Sequence, residues 1–213
     1  MLISFSHRFI FVHIPKTGGT SIRAALGKYH PFCPDVQNEK MASLRDKYQA
    51  TLDAAGITGH SAIRAAPLVL SQEAVESFYK FAVIRNSWEW VVSLYVYIKR
   101  HDGHHQHERV KDMAFAEYLD WCFVQNNRPC QLQYKYITDD NGRIAVDCCC
   151  RFENLHEDFR QVCARINITN IDLPHLNKYR NRHYSEYYTP RTRDLVHEYC
   201  REDIERFGFT FAA

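Results

Sequence analysis

The sequence predicts an α/β fold with a parallel β-sheet and helices on both of its faces, in a single domain covering residues 1–213. Three observations predict it. Compact apolar runs stand at residues 8–14 (RFIFVHI) and 80–84 (KFAVI), too short for core helices and suited to buried strands. Each run is followed by a stretch with apolar residues at helical spacing. Strands alternating with helices in this way build parallel sheets covered on both sides.

The elements follow in order. Residues 8–14 form the first strand and residues 21–28 the helix after it. Residues 29–56 are mixed and polar, with Pro31 and Pro34, and read as a loop with a short helix. Residues 57–60 are assigned to a second strand. Residues 71–79 read as a helix capped by Ser71, and residues 80–84 as a strand that ends at Arg85. Asn86 or Ser87 caps the next helix, which carries Trp88, Val91, Val92, Tyr95 and Ile98 on one stripe. A histidine-rich polar break (HDGHHQH) precedes a helix at 115–124. Asp139-Asp140-Asn141-Gly142 marks a hairpin turn between ITD and RIAVDCCC. A helix at 153–166, a basic loop at 174–184 and a closing helix at 189–207 complete the chain.

Composition narrows the function. With 213 residues, 46% of them hydrophobic, the chain can bury a full core. A net charge of +2 gives no global field for nucleic acid or an anionic membrane, so any anion site must be local. The longest apolar run falls well short of the ~20 residues that span a bilayer, so no membrane span and no nucleic-acid partner are expected. Eight cysteines, three of them consecutive at 148–150, read as thiols in a reducing cytoplasm rather than a disulfide framework. The expected location is therefore cytoplasmic.

The chemistry concentrates in PKTGGTS, where strand passes through a bend directly into helix. Gly18 and Gly19 let the backbone approach an anion, and the helix N-terminus favours negative charge. Thr17, Thr20 and Ser21 add hydroxyls, and Lys16 adds a full positive charge. The triphosphate-binding signature GxxxxGK[ST] is absent, since Lys16 precedes the glycines and no magnesium-binding hydroxyl follows it directly. The bend suits an anion held without that metal arrangement.

HIPKTGGTS resembles the 5′-phosphosulfate-binding loop of sulfotransferases that use 3′-phosphoadenosine-5′-phosphosulfate (PAPS), in the group containing carbohydrate enzymes such as heparan sulfate 2-O-sulfotransferase. FAVIRNSWEWVVSLY resembles the family's 3′-phosphate segment, with an arginine (Arg85) followed eight residues later by a serine (Ser93). RFENLHEDF and LPHLNKYRNRHYSEYY resemble two later segments, and the resemblance implies that Lys178, Arg180 and Arg182 reach the nucleotide or close over it. It implies a P-loop-like, sulfotransferase-like fold, PAPS as co-substrate, 3′-phosphoadenosine-5′-phosphate as product and no metal.

Sulfuryl transfer needs a cation at the leaving group and a base at the acceptor. Lys16 is the cation and His60, after Gly59, is the candidate base, in the place where the family's carbohydrate members carry a histidine. His13 is assigned to packing or orienting the loop, and Glu89 is a weaker candidate for the base. His101, His104, His105 and His107 read as a polar loop, Gly103 breaking the helical spacing a metal site would use. Together these readings imply a sulfotransferase acting on a hydroxyl, foremost one of a carbohydrate, with a small molecule or glycan as the acceptor partner. Two alternatives remain open: a P-loop-type small-molecule kinase, and a catalytically silent nucleotide-binding protein.

Overall fold

The computed structural model describes residues 1–29, 50–174 and 182–212. Among them a four-stranded sheet runs in the order β1 (Leu2–Ser4), β2 (Phe9–Val12), β3 (Tyr79–Ile84), β4 (Cys148–Arg151). β2, β3 and β4 are parallel, with Phe11 opposite Phe81 and Phe81 opposite Cys148. β1 is antiparallel to β2, so the sheet is mixed at this edge. The strand expected first, at residues 8–14, is thus the second, and between it and β1 the chain turns back with Arg8 at φ 49°.

Phe9, Phe11, Phe81, Val83 and Cys150 share one core with Ile22, Leu26, Leu155, Phe159 and Val162. These last five come from α1 (Gly19–Leu26) and from the helix Leu155–Arg165. The alternate residues Ile10, Val12, Ala82 and Ile84 are equally buried, so both faces of the sheet are covered. That explains why the strands read as continuous apolar runs rather than as alternating patterns.

Further helices among the described residues include α2 (Gln72–Ser77), α3 (Ser87–Arg100), α4 (His107–Val110), α5 (Phe115–Leu119) and α6 (Tyr134–Ile137). Leu155–Arg165 is α7, followed by α8 (Pro190–Tyr199) and α9 (Arg201–Phe207). Ser71 caps α2 by accepting from the Ala74 amide, and Asn86 caps α3 by accepting from the Trp88 amide. The helix expected at 115–124 widens after Leu119, the Gln125 amide reaching back five residues to Asp120. The closing helix is two helices, meeting at Cys200. The DDNG turn forms as expected, and Asp139 Oδ1 accepts from both the Asn141 and Arg143 amides.

Residues 57–60 are not a strand. Thr58 Oγ1 accepts from the His60 amide, and Ser61 Oγ from the Thr58 amide. These side chains take the backbone groups that a sheet neighbour would need. The seven described cysteines are free thiols, and among the described residues no helix is long and apolar enough to cross a membrane.

Backbone contacts divide the chain into two compact units. One is Met1–Ile84 with Lys135–Lys178 and contains the sheet, α1 and α7. The other is Arg85–Tyr134 with Tyr179–Ala213 and is helical, built around α3. In it the Trp88 indole donates to the Arg193 carbonyl, and the Tyr188 hydroxyl donates to the carbonyl of Trp88.

Candidate active site

β2 ends at Val12, and His13 to Gly18 carry the chain into α1. Thr17 is fully buried and its Oγ1 donates to the Ile14 carbonyl at 3.0 Å, closing the bend from within. That hydroxyl braces the bend; the hydroxyl facing solvent is that of Thr20. Lys16 has φ 63° and Gly18 φ 87°, so the bend passes twice through left-handed backbone. Gly18 is the N-cap of α1 and provides no side-chain cap. Its carbonyl accepts from Ser21 and Ile22. The amides of Gly18, Gly19 and Thr20 have no acceptor among the described residues, and the first turn holds no acidic side chain. Three amides, a helix N-terminus and one lysine gather at the bend, groups of the kind that can hold an anion.

Gly19 is required for a second reason. A Cβ there would fall on the imidazole of His13, which lies across the start of α1. Burial, with His60, Arg23 and Lys16 nearby, pushes His13 down to about 3, so its ring is neutral packing.

His60 lies beside His13, ring centroids 4.3 Å apart, on the turn that replaced the expected strand. Its Nδ1 is 2.9 Å from the His13 carbonyl oxygen. A carbonyl only accepts, so Nδ1 carries the hydrogen and the neutral ring keeps its lone pair on Nε2. Partial burial lowers the His60 pKa, the bond to the His13 carbonyl offsets some of that, and Arg23 lowers it further. The residue is exposed to solvent. It is a neutral imidazole with one nitrogen tied down and the other available as a base.

In the helical unit, Arg85 is the first residue after β3. Its guanidinium is largely buried, and Nη2 donates to Glu89 Oε1 at 2.8 Å. Ser93 stands one turn beyond Glu89 on α3, half-buried, its hydroxyl without a partner among the described residues. Glu89 and Ser93 lie one turn apart on one face of α3, and Glu89 reaches back to Arg85, which precedes the helix.

A family model described as the sulfotransferase family matches residues 1–210. The chain belongs to the sulfotransferase family. No curated protein and no solved structure matches it. This sulfotransferase is accordingly a transferase of sulfuryl groups with the α/β fold of the family.

Lys178 and Arg180 lie outside the described residues. Arg182 is exposed, and its guanidinium stacks 4.1 Å over the Tyr187 ring. Among the described residues no group of three or more His, Cys, Asp or Glu is arranged to hold a metal ion. In the 101–107 segment His101 and His107 donate from Nδ1 to the carbonyls of Tyr97 and Ile98, bonds that shape a loop. Sequence reasoning missed Gln133, a buried amide whose Oε1 accepts from the Arg85 amide and whose Nε2 donates to the Arg85 carbonyl. Nothing in CQLQY signals that role, which depends on a contact across 48 residues.

Proposed function

We propose that this sulfotransferase takes its sulfuryl group from PAPS and delivers it to a hydroxyl, most favourably one on a carbohydrate. The observation that carries the reading is the pairing of the amide-lined bend at residues 16–20 with a histidine whose Nε2 lone pair is free. The bend suits the tetrahedral 5′-phosphosulfate, and the guanidinium of Arg85 and hydroxyl of Ser93 offer donors of the kind a 3′-phosphate takes. The histidine-after-glycine arrangement at Gly59-His60, which resembles that of carbohydrate sulfotransferases, supports a sugar hydroxyl as acceptor.

In the reaction, the acceptor oxygen forms a bond to sulfur while the bond from sulfur to the 5′-phosphate oxygen breaks. The acceptor proton passes to His60 Nε2. Negative charge that grows on the departing phosphate is met by Lys16 and by the amides of Gly18, Gly19 and Thr20. The tautomer set by the His13 carbonyl is the one this step needs.

Calorimetric titration with 3′-phosphoadenosine-5′-phosphate, beside ATP with Mg²⁺, tests the donor. Transfer of labelled sulfate from PAPS to a panel of sugars, phenols and amines tests the acceptor. Binding of the bisphosphate and labelling of sugars are the expected results. ATP turnover with no bisphosphate binding would establish the kinase alternative instead. Binding without transfer to any acceptor class would mark a silent nucleotide-binding protein.

A further inference from the structure

We infer that Gln133, fixed in place by Asp203, is a positioning residue that aims Arg85 at the 3′-phosphate of the nucleotide; this rests on the assignment of Arg85 made above. Arg85 stands between two regular elements, after β3 has ended at Ile84 and before α3 begins at Ser87. Its backbone groups receive their partners from a side chain. Gln133 Oε1 accepts from the Arg85 amide at 2.9 Å, and Gln133 Nε2 donates to the Arg85 carbonyl at 2.8 Å. A single carboxamide thus pairs with both groups, as a neighbouring strand would. It fixes the peptide from which the guanidinium projects.

Gln133 is itself held from behind. Its amide donates to Asp203 Oδ2 at 2.9 Å, and the next amide, of Tyr134, donates to Asp203 Oδ1 at 2.8 Å. Gln133 and Asp203 are both completely buried. Asp203 stands in the first turn of α9, and no lysine or arginine lies within ion-pair distance of it among the described residues. Burial raises its pKa to about 6, and the two amides restrain that rise. A carboxylate buried without a cation is costly. Here it accepts two backbone amides and fixes the residue that grips Arg85. The linkage runs from α9 through Gln133 to Arg85 by hydrogen bonds, each no longer than 2.9 Å.

The test compares nucleotides with and without the 3′-phosphate. Adenosine 3′,5′-bisphosphate and adenosine 5′-monophosphate are titrated into wild type, Gln133→Met, Arg85→Ala and the double variant, with thermal melts confirming that each is folded. Gln133→Met keeps the chain length and removes both bonds to Arg85. Wild type is expected to prefer the bisphosphate by about tenfold or more, one charge-assisted contact's worth. Gln133→Met should cut that preference about fivefold while monophosphate affinity holds within about twofold. In the Arg85→Ala background, the glutamine substitution should change nothing further.

An unaltered preference in Gln133→Met overturns the inference, as does an equal loss of both nucleotides, which marks a merely structural glutamine. A wild type without preference, or an Arg85→Ala that retains it, overturns the assignment of Arg85 and the inference with it. If Gln133→Met does not fold, Asp203→Asn replaces it. An asparagine can accept at only one oxygen, so the preference should fall about twofold to threefold; an unchanged preference there also overturns the inference.

Discussion

The bend at residues 16–20 aims its amides with its own backbone, whereas Arg85 is held by the side chain of Gln133, 48 residues away, which Asp203 holds in turn. In the bend, the conformation is local: two left-handed residues, a hydroxyl turned inward and a glycine that leaves room for His13. At Arg85 the conformation is borrowed from Gln133 and Asp203. Sites of the first kind are written in a short string of residues. Sites of the second kind exist only once the fold has assembled them.

Removing charge at the bend tests the first half of that contrast most severely. Lys16→Ala should lower the transfer rate by about 10²–10³, the cost of a single donor to a developing anion. Single-turnover kinetics at saturating PAPS would measure it, and a loss below tenfold would remove Lys16 from the chemistry. His60→Ala should lower the rate by about 10² or more and leave bisphosphate affinity nearly intact. The pH profile carries the sign: the base is active when neutral, and its pKa is lowered. The acid limb of the rate should therefore fall below the ordinary histidine value of about 6.5. A limb at or above that value would point to another base.

The next effect is steric. Gly19→Ala places a methyl group on the His13 ring, which is backed by the sheet, and should cost about 1–3 kcal/mol of stability. Thermal melts and bisphosphate titration should fall together, because packing and anion site share the same backbone. The smallest effect belongs to Glu89, whose carboxylate holds the Arg85 guanidinium. Glu89→Gln removes that competing charge and should tighten bisphosphate binding about twofold to threefold. Weaker binding would show instead that the ion pair helps to aim Arg85.

The same contrast explains what the sequence reveals. PKTGGTS discloses the bend because glycines, hydroxyls and a lysine carry their reasons in their own conformational freedom and charge. RFIFVHI and KFAVI disclose β2 and β3 because burial on both faces demands continuous apolar residues. Arg85 and Ser93 are singled out by the resemblance of FAVIRNSWEWVVSLY to the family's 3′-phosphate segment, not by composition or periodicity. The strand expected at 57–60 fails because Thr58 and Ser61 close a turn on themselves, a local competition that an apolar–polar reading passes over. β1 is hidden because Arg8 adopts left-handed backbone without a glycine to announce it. Gln133 and Asp203 are hidden because nothing in a polar amide and a helical acid specifies what they meet.

Lys16 has a consequence that reaches beyond this chain. At φ 63° it occupies a region that non-glycine residues enter at a cost of about 1 kcal/mol. A free peptide of the same residues would relax out of that shape and scatter its amides. The shape that would receive an anion is therefore a property of Thr17 locked inside, His13 laid across and the strand behind them. The string of letters alone, excised from its surroundings, should hold sulfate no better than any other short cationic peptide.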